Sequence, residues 1–128
     1  MAADQLISSG GPWEDVVGYS RAVVAGPWVL VSGSTATVNG EVLHEGDAYL
    51  QTLEAFGVIR RALEQAGLGL EDVVRTRLYL SDMAHEAGVA RAHKELFDTT
   101  RPASTMVAIA GFVNPKMLIE IEADAYRA

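Results

Sequence analysis

Two carboxylates near the C-terminus are the first candidates for chemistry. Glu120 and Glu122 alternate with Ile119 and Ile121 in the segment MLIEIEADA. Successive strand residues point to opposite faces, so both carboxylates are expected on one face of a sheet while the isoleucines face its core. A partly desolvated carboxylate with a raised pKa can act as a general base or orient water. Solvated or ion-paired strand carboxylates give the same pattern, and the residues alone leave both interpretations open.

Arginines supply a second candidate group. Arg75 and Arg77 share one face of the segment VVRTRLYLSD, and eight of the ten basic residues in the chain are arginines. A guanidinium binds a carboxylate through paired hydrogen bonds better than an ammonium does. Arg77 is therefore a candidate for binding an anionic substrate. An ion pair with Glu120 or Glu122 explains the same pattern, and the two roles can coexist.

The hydroxyl and histidine side chains form no recognisable catalytic motif. The segment Ser32-Gly33-Ser34-Thr35 is not a nucleophile elbow, and no serine has a histidine at a suggestive spacing. His85 and His93 lie too far apart to bind one metal ion as an i, i+4 pair. His93 lies on an apolar helix stripe, which favours a packing role. Gly67-Leu68-Gly69 lacks the third glycine of the dinucleotide fingerprint, so we expect no nucleotide cofactor. The histidine spacing likewise leads us to expect no metal ion.

The elements that position these groups follow from hydrophobic period and turn signals. Asp47 is expected to cap a long helix that Gly67 ends, and Asp82 a second helix that ends before Pro102. Asn39-Gly40 predicts a hairpin turn. The predicted strands are residues 16–24, 28–38, 41–43, the VVRTRLYL segment at 73–80, 104–110 and 117–126.

This order predicts an α+β fold with a single mixed sheet and two helices on one face. The other face would carry a mixture of large polar and apolar side chains that two helices cannot cover. Its polar members are Arg75, Arg77, Tyr79, Glu120 and Glu122. Packing of this face against another subunit is the simplest solution.

Composition restricts the class of protein. The 128 residues fit one domain, residues 1–128, in which 1–15 form a partly irregular N-terminal extension. The absence of cysteine excludes disulfide scaffolds, zinc-thiolate sites and thiol nucleophiles. A net charge of -7 disfavours nucleic-acid binding. No apolar run spans a membrane and the first residues do not resemble a secretory signal, so we expect a cytoplasmic protein that binds neither nucleic acid nor membrane.

Several segments together resemble the RidA/YjgF family of reactive-intermediate (enamine/imine) deaminases. They are RPAST, the C-terminal IEIEADA, the VSGS strand that follows Gly18-Tyr19, the segment EQAGLGLEDVVRTRLYLSD and the helix AHKELF. The resemblance runs from about Val16 to Ala125. It implies a chorismate-mutase-like fold, a homotrimer, and active sites in clefts between subunits at the uncovered sheet face.

The resemblance also implies an activity. Water would add to the C=N bond of a small imine, and ammonia would leave to give a 2-keto acid. The family's catalytic glutamate aligns with Glu120, its site tyrosine with Tyr19, and the serine of its Ser-Gly strand with Ser32, next to Gly33.

This chain departs from the family at the substrate's carboxylate. Deaminating members carry Pro-Ala-Arg, where this chain has Pro102-Ala103-Ser104. The family's cysteine two positions later is Met106, and a nearby helix asparagine aligns with Ala90. Ser104 and Met106 are therefore expected to line an altered substrate site. Either Arg77 binds the substrate's anion, or Arg77 is ion-paired and the ligand is neutral or less acidic than an imino acid; we favour the ion pair.

The sequence leaves three functions open. The first is a small-molecule hydrolase of the RidA type that uses Glu120. The second is a trimeric protein that binds or senses a metabolite in the same cleft without turnover. The third is an endoribonuclease, which the acidic charge makes the least favoured.

Overall fold

The computed structural model describes residues 4–128, which form one six-stranded sheet, a small hairpin and three helices. The helices are α1 (Pro12–Val17), α2 (Ala48–Gln65) and α3 (Glu86–Phe97). The strands are β1 (Gln5–Ile7), β2 (Ala22–Ala25), β3 (Trp28–Ser34), β4 (Thr37–Val38), β5 (Glu41–Val42), β6 (Val73–Leu80), β7 (Ala103–Ala108) and β8 (Ile119–Tyr126). Short 3-10 turns at Leu70–Asp72 and Met83–His85 precede β6 and α3.

The sheet is mixed, and two helices cover one of its faces, as the sequence predicts. Its strand order is β1-β2-β3-β8-β6-β7, in which only β6 and β7 are parallel. Phe56 and Leu63 of α2 and Phe97 of α3 pack with Ile121 of β8 in the buried core. The α+β prediction is therefore confirmed. No helix in residues 4–128 is both long and apolar enough to cross a membrane.

The uncovered face of the sheet carries the predicted polar side chains. Arg77, Tyr79, Glu120 and Glu122 alternate with buried neighbours along β6 and β8. Apolar side chains share this face, since Trp28, Leu30 and Tyr126 are 43%, 44% and 41% exposed. We call this the open face, and define it as the side of the sheet opposite α2 and α3.

Two predicted strands differ most from the strands observed. Residues 16–17 end α1 rather than begin a strand, because Pro12 suits the first turn of a helix and Gly18, at φ 89°, adopts the left-handed conformation that ends one. The strand predicted over 28–38 stops at Ser34. Thr37–Val38 instead pairs with Glu41–Val42 across the predicted Asn39-Gly40 turn. Strand β1 was not predicted.

The first helix prediction is confirmed, and that helix fixes the start of β8. The Asp47 carboxylate accepts the N–H of Leu50 at 3.0 Å, as a cap does. Gln51, fully buried in α2, donates its amide to Lys116 O and accepts the N–H of Leu118, both at 2.9 Å. The chain entering β8 is thereby held two residues before Glu120.

Asp82 caps a turn before the second helix rather than the helix itself. Its carboxylate accepts the N–H of Ala84 at 2.8 Å in the 3-10 turn Met83–His85, and α3 begins at Glu86. The helix ends at Phe97, well before Pro102.

Candidate functional site

Glu120 lies half-buried on β8 and has no hydrogen-bond donor within reach among residues 4–128. Burial raises the pKa of this carboxyl; Arg21 acts to lower it, and Glu122 to raise it further. A carboxylate that loses solvation and gains no hydrogen bond in return has a higher proton affinity. Glu120 therefore has the environment of a base that operates closer to neutral pH than an ordinary glutamate.

A bulge in β3 makes room for this carboxylate. The pairing of β3 with β8 shifts between Val31, which faces Ala123, and Ser34, which faces Ile121. One extra residue is thus accommodated on β3, which is the signature of a β-bulge. Within the bulge, a Cβ atom on Gly33 would lie 2.9 Å from Cδ of Glu120. Only glycine lets the Glu120 carboxyl pack this closely against the backbone.

Arg21 organises the bulge and the neighbouring tyrosine. It is 8% exposed, and its Nη1 donates to Gly33 O at 2.6 Å, to Ser34 Oγ at 3.2 Å and to Ser32 O at 3.3 Å. Its Nη2 donates to the Tyr19 hydroxyl at 3.3 Å. Because that hydroxyl accepts from Arg21, its own proton is available to another acceptor. The Arg21 Nε is buried and has no partner in residues 4–128.

Two concavities meet at Glu120. One is a cavity of about 450 Å³ that runs under α1 and the 109–113 segment. More residues line it than line the second concavity, and we call it the main cavity. Its apolar walls include Trp13, Val17, Ile109, Phe112, Val113 and Met117, and its polar groups include Tyr19, Arg21 and Glu120. The second concavity, about 620 Å³, opens on the open face and is lined by Tyr19, Ser32, Gly33, Tyr79, Ile109, Glu120 and Glu122.

Four of the predicted site residues are therefore brought together. Tyr19, Ser32, Gly33 and Glu120 line the same concavity. The Ser32 hydroxyl donates to Ser20 O at 2.6 Å, so its proton is already engaged by the backbone.

Arg77 is ion-paired, but with a carboxylate that was not predicted. Its Nη1 lies 3.2 Å from Oδ2 of Asp124, and the Nε of Arg75 lies 4.0 Å from the same atom. The predicted partners make other contacts or none, since Glu122 accepts a short hydrogen bond from the Tyr79 hydroxyl. That bond raises the pKa of Tyr79. The expectation that Arg77 pairs with Glu120 or Glu122 is wrong: side-chain reach favours the diagonal neighbour Asp124.

Ser104 and Met106 lie on the other face of the sheet. They pair in register with Thr76 and Leu78, whose side chains are buried under the helices. Within one chain, the structure does not bring them to Glu120. They line a separate concavity of about 370 Å³ beside α3.

In that concavity the structure links a serine to a histidine. Thr76 Oγ1 lies 2.8 Å from Ser104 Oγ and 2.9 Å from His93 Nε2. Burial lowers the pKa of His93, which also packs edge-on against Phe56. The packing role predicted for His93 is thus observed, together with a hydrogen-bonded chain that sequence spacing could not reveal.

Sequence reasoning missed Arg21 and the walls of the main cavity. A charged residue two positions after Tyr19 was the available signal, but its partners Ser32 O and Gly33 O belong to another strand. No group of three or more His, Cys, Asp or Glu in residues 4–128 is placed to bind a metal ion.

Comparison with known proteins identifies the family. A family model described as "Endoribonuclease L-PSP" matches residues 13–127. The chain belongs to this family. It is the RidA/YjgF family that the sequence resembles, and the solved structures below carry the same fold.

Relatives in the family are similar over almost the whole chain. An uncharacterized protein of Streptomyces coelicolor is 45% identical over 125 residues, which cover 98% of this chain and 93% of the relative. A protein of Acinetobacter baylyi named 3-aminoacrylate deaminase RutC is 33% identical over 127 residues, 98% and 99% of the two chains.

Two solved structures of the family superpose closely. A Mycobacterium tuberculosis member of the YjgF/YER057c/UK114 family gives a TM-score of 0.86 at 43% identity, covering 95% of this chain and 98% of its own. The YjgF gene product of E. coli gives a TM-score of 0.80 at 27% identity, covering 99% and 97%.

Proposed function

We propose that this chain hydrolyses the C=N bond of a small imine, or of the enamine that tautomerises to it, releasing ammonia. The observation that carries the proposal is the Glu120 carboxylate, half-buried, without a hydrogen-bond donor, and lining an apolar cavity with Tyr19. One relative bears the name of a deaminase, which agrees with this class of reaction.

In the proposed reaction, two side chains carry all the proton transfers. Glu120 takes a proton from water as the water oxygen bonds to the imine carbon, and the C=N π electrons move to nitrogen, which takes a proton from the Tyr19 hydroxyl. In the collapse, the carbinolamine O–H proton returns to Tyr19, Glu120 gives its proton to nitrogen, and the C–N bond breaks to leave a carbonyl and NH₃. The Arg21 guanidinium, which already donates to Tyr19, stabilises the transient phenolate.

We further propose that the working unit is a homotrimer in which copies meet on the open face. Exposed Trp28, Leu30 and Tyr126 give that face an apolar content suited to an interface. Such an interface would bring the Ser104 and Met106 edge of one copy toward Glu120 of another, which a single chain does not do. Light scattering at micromolar concentration is expected to give three times the chain mass, and a stable monomer would contradict this assembly.

The activity is tested by generating imines in place. An amino-acid oxidase supplies 2-imino acids from a panel of amino acids, semicarbazide traps the unreacted imine, and the loss of trapped product measures hydrolysis. Wild-type protein is expected to accelerate hydrolysis of at least one imine, while Glu120→Gln does not. Saturable binding of panel compounds with no acceleration by the wild type would favour the non-catalytic binding protein.

An endoribonuclease is the second candidate, because the family description carries that name. The net charge of -7 opposes the phosphate contacts that RNA binding needs. The arginines of the open face, Arg75 and Arg77, are already held by Asp124. Incubation with labelled single-stranded RNA is expected to leave it intact.

A further inference from the structure

A further cavity adjoins the main one and is not used by the proposed chemistry. Its volume is about 660 Å³, and it is bounded by the N-terminal segment, the β4–β5 hairpin and α2. Arg21, Thr37 and Val58 line both cavities. A ligand can therefore contact Arg21 from either one.

The lining of this adjoining cavity is positively charged. Arg21 and Arg61 both line it, along with Ser8, Ser9, Asn39 and Gln65, and no acidic side chain is among its lining residues. The Glu14 carboxylate, two residues after Pro12 of the lining, is already occupied by the Ser9 hydroxyl at 2.6 Å and by the N–H groups of Ser9 and Gly11. The cavity thus offers cations and hydrogen-bond donors to a ligand.

Arg21 has donor capacity left over. Its Nη1 is fully used on β3, and its Nη2 holds Tyr19, but its Nε is buried without a partner in residues 4–128. Leaving a buried charged donor unpaired is costly, so an anion placed beside Arg21 would stabilise its charge.

Arg61 is the second cation and is also free. It is exposed, and no carboxylate lies within ion-pair distance of it in the described part of the chain. Its Nη1 lies back along α2, 3.4 Å from where a Cβ on Gly57 would be. The adjacent Arg60 differs, because its Nε lies 3.7 Å from the carboxylate of Glu64.

We propose that the adjoining cavity binds the carboxylate at the far end of an elongated substrate whose C=N carbon lies beside Glu120. This inference rests on the proposed function. Arg21 and Arg61 would supply the guanidinium groups that recognise the anion. The substrate class is then an imino or enamino acid with a distal carboxylate, rather than the neutral ligand that an ion-paired Arg77 suggested.

The test uses stable product-like probes of equal chain length. Isothermal titration compares 2-oxoglutarate, which has a distal carboxylate, with 2-oxopentanoate, which lacks one, on wild type, Arg61→Gln and Arg60→Gln. Wild type is expected to prefer 2-oxoglutarate by about tenfold or more, the gain of one charge-assisted contact. Arg61→Gln should lose most of that preference without changing affinity for 2-oxopentanoate, and Arg60→Gln should keep it. Arg60 and Arg61 are both exposed, so neither change should affect folding.

Three results of the keto-acid titrations would overturn the inference. They are no preference in the wild type, a preference that survives Arg61→Gln, and an equal loss in Arg60→Gln, which would indicate general surface charge. Inorganic phosphate is expected to compete with 2-oxoglutarate; phosphate that binds through Arg61 without competing would make the cavity an independent anion site and also contradict the inference. If the preference holds but no imine is hydrolysed, the proposed hydrolase fails while the carboxylate site stands.

Discussion

Two glutamates withdrawn from water behave in opposite ways in this structure. Glu14 is 6% exposed, and burial acts to raise its pKa, but hydrogen bonds led by that from Ser9 outweigh burial and lower it. Glu120 is half-buried, and with no donor in reach to offset that burial its pKa is raised. The donors around a carboxylate, together with its burial, decide whether it holds a loop in place or acts as a base.

The largest expected effect is on turnover. Glu120→Gln keeps the side-chain shape but removes the basic charge, so hydrolysis of the best imine should fall about 100- to 10,000-fold. Steady-state kinetics with the trapping assay measure it. Because the folded protein disfavours the charged form of Glu120, the same change should raise the melting temperature slightly at pH 7. Retention of the wild-type rate would make Glu120 structural.

Moving the Glu120 carboxylate should have a smaller effect than removing it. Gly33→Ala places a Cβ against Cδ of Glu120 and displaces the carboxyl, which should lower kcat/KM about 10- to 100-fold. Gly111→Ala is the matched control, since Gly111 lines the same cavity but an added Cβ there meets nothing within 4 Å. Equal losses in both variants would show that the effect is not transmitted through Glu120.

Glu14→Gln should reduce stability rather than change the chemistry. The lost charge-assisted hydrogen bonds from Ser9 and Gly11 correspond to about 1–3 kcal/mol of unfolding free energy. Since folding lowers the pKa of Glu14, this contribution is present above about pH 4.5 and is lost as the pH falls through the lower folded-state value. Urea denaturation at pH 7 and pH 3 should show a difference between wild type and variant that shrinks at pH 3. A constant difference would assign the loss to packing.

The influence of Arg21 on Glu120 should be visible in the pH profile. The Arg21 charge lowers the pKa of Glu120, so its removal in Arg21→Gln should raise that pKa and move the acid limb of kcat/KM to higher pH. Arg21→Lys keeps the charge and should leave the limb nearly in place, which separates electrostatics from lost packing. An unmoved limb in Arg21→Gln would show that the two groups are uncoupled.

The smallest effect is expected at Arg77. Its ion pair with Asp124 is partly exposed, with side-chain exposures of 39% for Arg77 and 22% for Asp124. Arg77→Ala should therefore lower the free energy of unfolding by less than about 1 kcal/mol. Imine hydrolysis by this variant should stay within about twofold of wild type, because Arg77 is engaged away from Glu120. A large rise in KM would restore Arg77 as the substrate's anion-binding residue.

Local patterns in the sequence predicted most of the fold but only part of the site. The period of α2, its Asp47 cap and the Asn39-Gly40 turn are local signals, and the structure follows them. Strand alternation placed Glu120 and Arg77 on the open face correctly. The Arg77 partner, the bulge at Gly33 and the role of Arg21 depend on which strands become neighbours and on one-residue register shifts, and single-strand patterns carry no such information.

The environment of Glu120 is tested most directly by a titration of the glutamate side chains by ¹³C NMR. The Glu120 carboxyl is expected to titrate above its ordinary value of 4.5, and that of Glu14 below it. A Glu120 carboxyl that titrates at or below 4.5 would contradict the claim that this residue is a desolvated base.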